Sequence, residues 1–172
     1  MKVQILRVED KALVPGEIEE KGKHRLPSFH DGWNFDFNKH SKRIPNSETY
    51  VLVTELEPDV IQGCLILKME EDMDPYMAYL EIAPHNRGDH KRYDYIAGCL
   101  IAFACRLSHI HAKGHFRGYL SFMVSEEKEE ETQKLMAHYS KKYHAKLIAG
   151  TNHMEIDPEN GRTLIERYLR NK

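Results

Sequence analysis

The chain has 172 residues, of which 41% are hydrophobic and 30% charged, and a formal net charge of −2. That length lets one domain, residues 1–172, bury a substantial core without staples. The near-neutral charge argues against a general nucleic-acid binder, which carries a clear basic excess. Cys64, Cys99 and Cys105 all sit in apolar runs, so reduced, buried thiols in a cytoplasmic protein are expected rather than a disulfide framework. Met1–Arg7 lacks the apolar core of a signal peptide. The longest apolar run, at residues 95–105, is too short to span a bilayer.

In chain order, Lys2–Val8 alternates weakly and predicts a first strand. Residues 9–47 read as irregular, interrupted by Pro15-Gly16, a charged stretch over 17–23, and Leu26-Pro27-Ser28. Within them Trp33, Phe35 and Phe37 recur at period two. They fit either a lid or short strand packed on the core, or part of a wall for an acceptor substrate. Ser47–Glu55 is rich in β-branched residues and predicts a strand. Glu57-Pro58-Asp59 is a turn, and Val60–Lys68 a second strand of an antiparallel hairpin. Met69–Pro75 is the next turn, and Tyr76–Ala83 completes a meander of three. Gly63 marks a bulge or a close backbone approach.

Pro84 ends the third meander strand. A basic polar turn follows (His85, Asn86, Arg87, Gly88, Asp89, His90, Lys91, Arg92), then an apolar run from Tyr95 to Cys105 that fits a buried helix. A strand, a basic turn and a helix in that order set up an anion site at a helix N-terminus. Gly114 is a candidate for the residue just past the helix end. Phe116–Val124 predicts a strand parallel to the third meander strand, since a crossover separates them. Ser125 is a candidate N-cap for a helix whose first turns hold Glu126, Glu127, Glu129, Glu130 and Glu131, a run most simply read as solvated. On that helix Leu135, Tyr139 and Tyr143 share one face. Lys146–Ile156 contains a last strand broken at Gly150. Asp157-Pro158 opens a final helix.

This order of elements resembles that of the GNAT family of acyl-CoA-dependent N-acetyltransferases, over about residues 48–157. Glu81-Ile-Ala-Pro-His-Asn-Arg-Gly88 resembles the family's V-x-P-x-x-R-G segment. Ala97–Cys105 resembles its apolar helix, and Leu135–Ala145 its tyrosine-bearing segment, with Tyr139 on the tyrosine. The family's Q/R-x-x-G-x-G/A loop is not kept. Arg87-x-x-His90-x-Arg92 fails at both glycines, and a register anchored on Gly98 keeps only the last.

The resemblance implies an α/β (α+β) fold with a mixed, mostly antiparallel central sheet flanked by helices. It also implies acetyl-CoA as co-substrate, without a metal, and a primary amine as acceptor, either a small molecule or a peptide. By the same resemblance Tyr139 is the candidate general acid and Glu81 the candidate base. Donor contacts are expected from Ile82, Ala83, Asn86, Arg87, Gly88, Lys91, Arg92 and Gly98, with Arg87, Lys91 and Arg92 supplying charge in place of glycine amides. Trp33 is a candidate for the acceptor side. A backbone N–H at the splayed end of the third meander strand would steady the oxyanion. No membrane partner is expected, a nucleic-acid partner is disfavoured by charge, and homodimer formation stays open. Two alternatives remain at this level: a catalytically silent domain that binds coenzyme A or a protein, and a GNAT-type toxin modifying RNA.

Overall fold

The computed structural model describes residues 1–71 and 73–169. Among the described residues nine strands form one sheet in the order β6-β1-β2-β3-β4-β5-β7-β9-β8. They are β1 (Lys2–Arg7), β2 (Leu13–Glu20), β3 (Ser47–Thr54), β4 (Gly63–Glu70), β5 (Asp74–Ile82), β6 (Tyr93–Asp94), β7 (Leu120–Met123), β8 (Lys146–Leu147) and β9 (His153–Ile156). The α-helices among the described residues are α1 (Phe37–Arg43), α2 (Ile96–His111), α3 (Glu129–Tyr143) and α4 (Pro158–Tyr168). All pairings are antiparallel except β5 with β7. The mixed sheet, mostly antiparallel, and the C-terminal helix match the expected fold class. Among the described residues no helix is long and apolar enough to cross a membrane.

The meander β3-β4-β5 forms because alternate residues feed two cores. Tyr50, Leu52, Leu65, Leu67 and Met77 face a large core with α2, α3 and α4. Val51, Val53, Cys64 and Ile66 face a smaller one closed by Leu26, Trp33 and Phe37. Gly63 is a close approach: a Cβ there would lie 2.6 Å from Ile96 Cγ2 and 2.9 Å from Leu100 Cδ1. The three cysteines are buried and free, as their settings suggest.

Several expectations need correction. Residues 9–47 hold a full strand, β2, between β1 and β3. Val14, Gly16 and Ile18 alternate inward, and Pro15 is tolerated because the side on which it lacks an N–H faces Glu55, just past the end of β3, whose N–H its C=O still accepts (3.2 Å). Trp33 and Phe37 enter the second core as a lid without a strand, and α1 begins at Phe37 because Asp36 caps Lys39 N–H (2.9 Å). Helix α2 ends at His111, while Gly114 opens a single 3-10 turn. Helix α3 starts at Glu129, so Ser125 does not cap it and Ser125–Lys128 is a loop. β4 and β5 run from Gly63 and Asp74 rather than Val60 and Tyr76. Of the expected turn over Met69–Pro75, Asp72 lies outside the described residues.

Candidate active site

β5 and β7 share a single parallel register pair, Tyr76 with Ser121, and then diverge. Ala83 N–H donates back to Gln62 C=O (2.9 Å) on the β4 side. Strand alternation therefore turns the N–H and C=O of Leu80 and Ile82 toward the gap left by β7. Backbone groups without a ladder partner are strong hydrogen-bonding sites. A cleft of about 760 Å³ runs along this edge, past Leu80 and Ile82, from Ala97 at the head of α2 to Tyr139 on α3. A second cavity of about 300 Å³ lies in the crotch of the splay, between Tyr76 and Met123. Tyr139 lines both. Burial, reinforced by the charge of Glu126, pushes its phenol up to about 12.

Glu81 is buried, and three donors hold its carboxylate. Oε1 accepts from Asn34 N–H (2.7 Å), Oε2 from Phe35 N–H (3.0 Å), and Arg87 forms an ion pair with it. The bonds bind the 33–37 segment to β5, so Trp33 and Phe35 become a wall of the cleft. Arg87 also donates to the Ile82 carbonyl through Nε (3.0 Å) and Nη2 (2.9 Å), closing part of the open edge.

The glycine-poor loop is held by a buried amide. Asn86 donates from Nδ2 to Gln62 Oε1 (2.9 Å) and accepts Tyr93 N–H at Oδ1 (3.1 Å). His85 Nε2 lies 2.8 Å from the same Gln62 oxygen. The bonds turn the loop so that Tyr93–Asp94 can pair with β1 as strand β6. The first helical bond of α2 runs from Cys99 N–H to Tyr95 C=O (2.8 Å). The N–H groups of Ile96, Ala97 and Gly98 precede it and form the positive end of the helix. Asp94, just before it, pairs with Lys91 (2.7 Å) and draws in Lys142 of α3 (3.9 Å). Although burial opposes it, these bonds hold the Asp94 carboxyl below the usual range.

The residues singled out from sequence separate into groups. Tyr139, Glu81, Ile82, Arg87 and Trp33 all line the large cleft. Lys91 and Arg92 instead line a separate cavity of about 350 Å³ with Arg7 and His90, and Arg92 pairs with Glu57 (3.0 Å). Ala83 is buried with its N–H used by the sheet, and Asn86 is a loop anchor. Gly88 occupies a turn at φ 68° with open space around it. Gly98 is required by packing, since a Cβ there would lie 2.4–2.8 Å from the Tyr168 ring of α4. Sequence reading missed Ala97, Lys142 and the glutamates Glu126 and Glu127, which reach the cleft region because Ser125–Lys128 is a loop. The late helix start was readable only in part, from Thr132, whose Oγ1 accepts Glu126 N–H (2.9 Å).

No family model matches the chain, and no curated protein matches it. Solved structures do. The chain is similar to the KacTA–DNA complex at a TM-score of 0.60 and 14% identity, over 88% of this chain and 99% of that one. AtaTR bound with acetyl-CoA follows at a TM-score of 0.54 and 12% identity, covering 87% and 98%. A GNAT family acetyltransferase from Elizabethkingia anophelis with acetyl-CoA bound aligns at a TM-score of 0.50 and 10% identity, covering 83% and 97%. At such identities the likeness establishes the fold.

Proposed function

The chain has the GNAT acetyltransferase fold, and from that premise we propose that it is an acyl-CoA-dependent N-acetyltransferase, moving an acetyl group from acetyl-CoA directly to a primary amine. The observation that carries this reading is the open edge of β5 ending at Tyr139, between two cavities. The larger cavity falls within the size range of small-molecule sites, roughly 300–1,000 Å³. The N–H groups at the head of α2, with Lys142 beside them, are the groups that would hold the donor's phosphates. The thioester supplies an activated acyl carbon at the open edge. There a Leu80 or Ile82 N–H stabilises the oxyanion that develops as the amine attacks. The amine nitrogen bonds to the acyl carbon, the carbon–sulfur bond breaks, and Tyr139 protonates the departing sulfur. The raised phenol keeps that proton available throughout the neutral range. The new amide nitrogen then gives up a proton that restores Tyr139.

In this reading Glu81 is a positioning residue rather than the base, because its oxygens already hold two backbone N–H groups and a guanidinium. One observation favours a silent coenzyme-binding domain instead: Arg87 occupies the Ile82 carbonyl on the same edge. Thermal unfolding with acetyl-CoA, followed by release of free thiol with an amine mixture, separates the readings. A donor at about a hundred times its dissociation constant adds roughly 2.7 kcal/mol. No shift at millimolar acetyl-CoA sinks both readings, whereas a shift without thiol release favours the silent domain.

A further inference from the structure

The smaller cavity and the loop before α3 carry an inference about which amine is taken; it rests on the acetyl-transfer reading. The two cavities meet at a common wall formed by Phe35, Leu80, Ser125, Glu126, Leu135 and Tyr139. Beyond that wall the smaller cavity is closed mainly by apolar and aromatic side chains, among them Tyr76, Tyr79 and Phe122. At about 300 Å³ it is too small for a nucleotide-bearing donor and suits a compact molecule. Glu126 is the one carboxylate shared by both cavities among the described residues.

The glutamates nearby do not all behave alike. Glu130 pairs with Lys134 (3.2 Å) and Glu131 with Lys128 (3.9 Å). No basic side chain pairs with Glu126 or Glu127 among the described residues. Glu126 is exposed, and its backbone N–H donates to the buried Thr132 Oγ1 (2.9 Å), which anchors the loop that brings it to the cavity wall shared with Tyr139. A carboxylate next to an aromatic pocket complements an ammonium carried on an apolar body.

We propose that the acceptor is a monoamine on a compact aromatic or aliphatic body, with the body lodged in the smaller cavity and the ammonium held by Glu126. Glu126 is then a catalytic residue on the acceptor side. The bound ammonium loses one proton to solvent past the Glu126 carboxylate, and the freed lone pair forms the N–C bond as the C–S bond breaks. Long polyamines and bulky polycations fit poorly, because the pocket past Glu126 offers mainly apolar walls and, among the described residues, no second carboxylate.

Calorimetry on the donor-free protein tests this with 2-phenylethylamine, its uncharged analogue 2-phenylethanol, hexylamine and spermidine. The monoamines are expected to bind at least about tenfold more tightly than 2-phenylethanol or spermidine, the scale of one charge-assisted hydrogen bond. Glu126→Gln is expected to remove that advantage, and Glu130→Gln to leave it intact. Tighter binding of spermidine, or an unchanged preference in Glu126→Gln, overturns the proposal. Thiol release from acetyl-CoA is read separately. If the monoamines bind through Glu126 without thiol release, the pocket assignment stands and acetyl transfer fails. If spermidine is acetylated and the monoamines neither bind nor react, acetyl transfer stands and the pocket assignment fails.

Discussion

Glu81 holds Arg87 by an ion pair while Arg87 holds the Ile82 carbonyl, so one buried carboxylate ties together the open edge of β5, the loop that follows it and the segment bearing Trp33. Substituting Glu81 strands the N–H groups of Asn34 and Phe35 as well as the guanidinium. Glu81→Ala is expected to cost about 2–4 kcal/mol, measured by urea unfolding. Trp33 is the only tryptophan in the chain, so its fluorescence reports the release of this segment directly. If Glu81 were also the base, Glu81→Gln would abolish turnover even under conditions where the variant is fully folded and Trp33 emission is unchanged.

Gly98 and Tyr168 form a second pair whose fit can be tested. A methyl at position 98 collides with the Tyr168 ring, so Gly98→Ala is expected to destabilise by about 1–3 kcal/mol. Shortening the opposing side chain in Gly98→Ala with Tyr168→Leu should recover part of that loss. If the double variant is as stable as its parts imply but no longer binds acetyl-CoA, the glycine serves the donor rather than the packing.

The cations near the loop are expected to divide as the structure divides them. Lys142→Ala should weaken acetyl-CoA binding several-fold, since this lysine stands with Asp94 at the head of α2. Arg92→Ala should leave donor affinity within about twofold, because Arg92 pairs with Glu57 and faces another cavity. Titration calorimetry with both variants gives the ranking, and equal losses would contradict it.

Stability should fall with acid before the carboxylates titrate. Burial lowers the pKa values of His40, His85, His109 and His138 below the ordinary value of 6.5. The unfolded chain therefore binds more protons just below pH 6.5, and stability rises with pH through that window. The contribution is complete above about pH 6.5 and is lost as pH falls through the lowered folded values. Urea midpoints measured at pH 7 and pH 5.5 are expected to show the decrease, and His85→Gln should reduce it. A midpoint independent of pH across this interval would exclude the effect.

Much of the fold was legible because its signals are local. The β-branched content of Ser47–Thr54, the apolar run of α2, and the Asp157-Pro158 opening of α4 each indicate their element without long-range information. β2 was hidden because Pro15 and Gly16 read as a break, and only the edge-on approach of Val53 explains the glycine, with a Cβ at 3.0 Å from its carbonyl. Tyr139, Glu81, Ile82, Arg87 and Trp33, singled out from motif or pattern, lie together along the large cleft. Their partners were not legible, because the Glu81 contacts to Asn34 and Phe35 span more than forty residues of chain. The same limit applied to Gly98, where a sequence match suggested a phosphate glycine and the space is taken by a ring from the last helix.

Tyr139 is proposed to protonate the leaving sulfur from between the two cavities. Single-turnover thiol release from acetyl-CoA, compared in the natural chain and Tyr139→Phe with donor affinity measured in parallel, tests it most directly. The expected result is a loss of about 10²–10⁴-fold in rate, the scale of general acid catalysis, with coenzyme affinity unchanged. Full activity in Tyr139→Phe would contradict the claim.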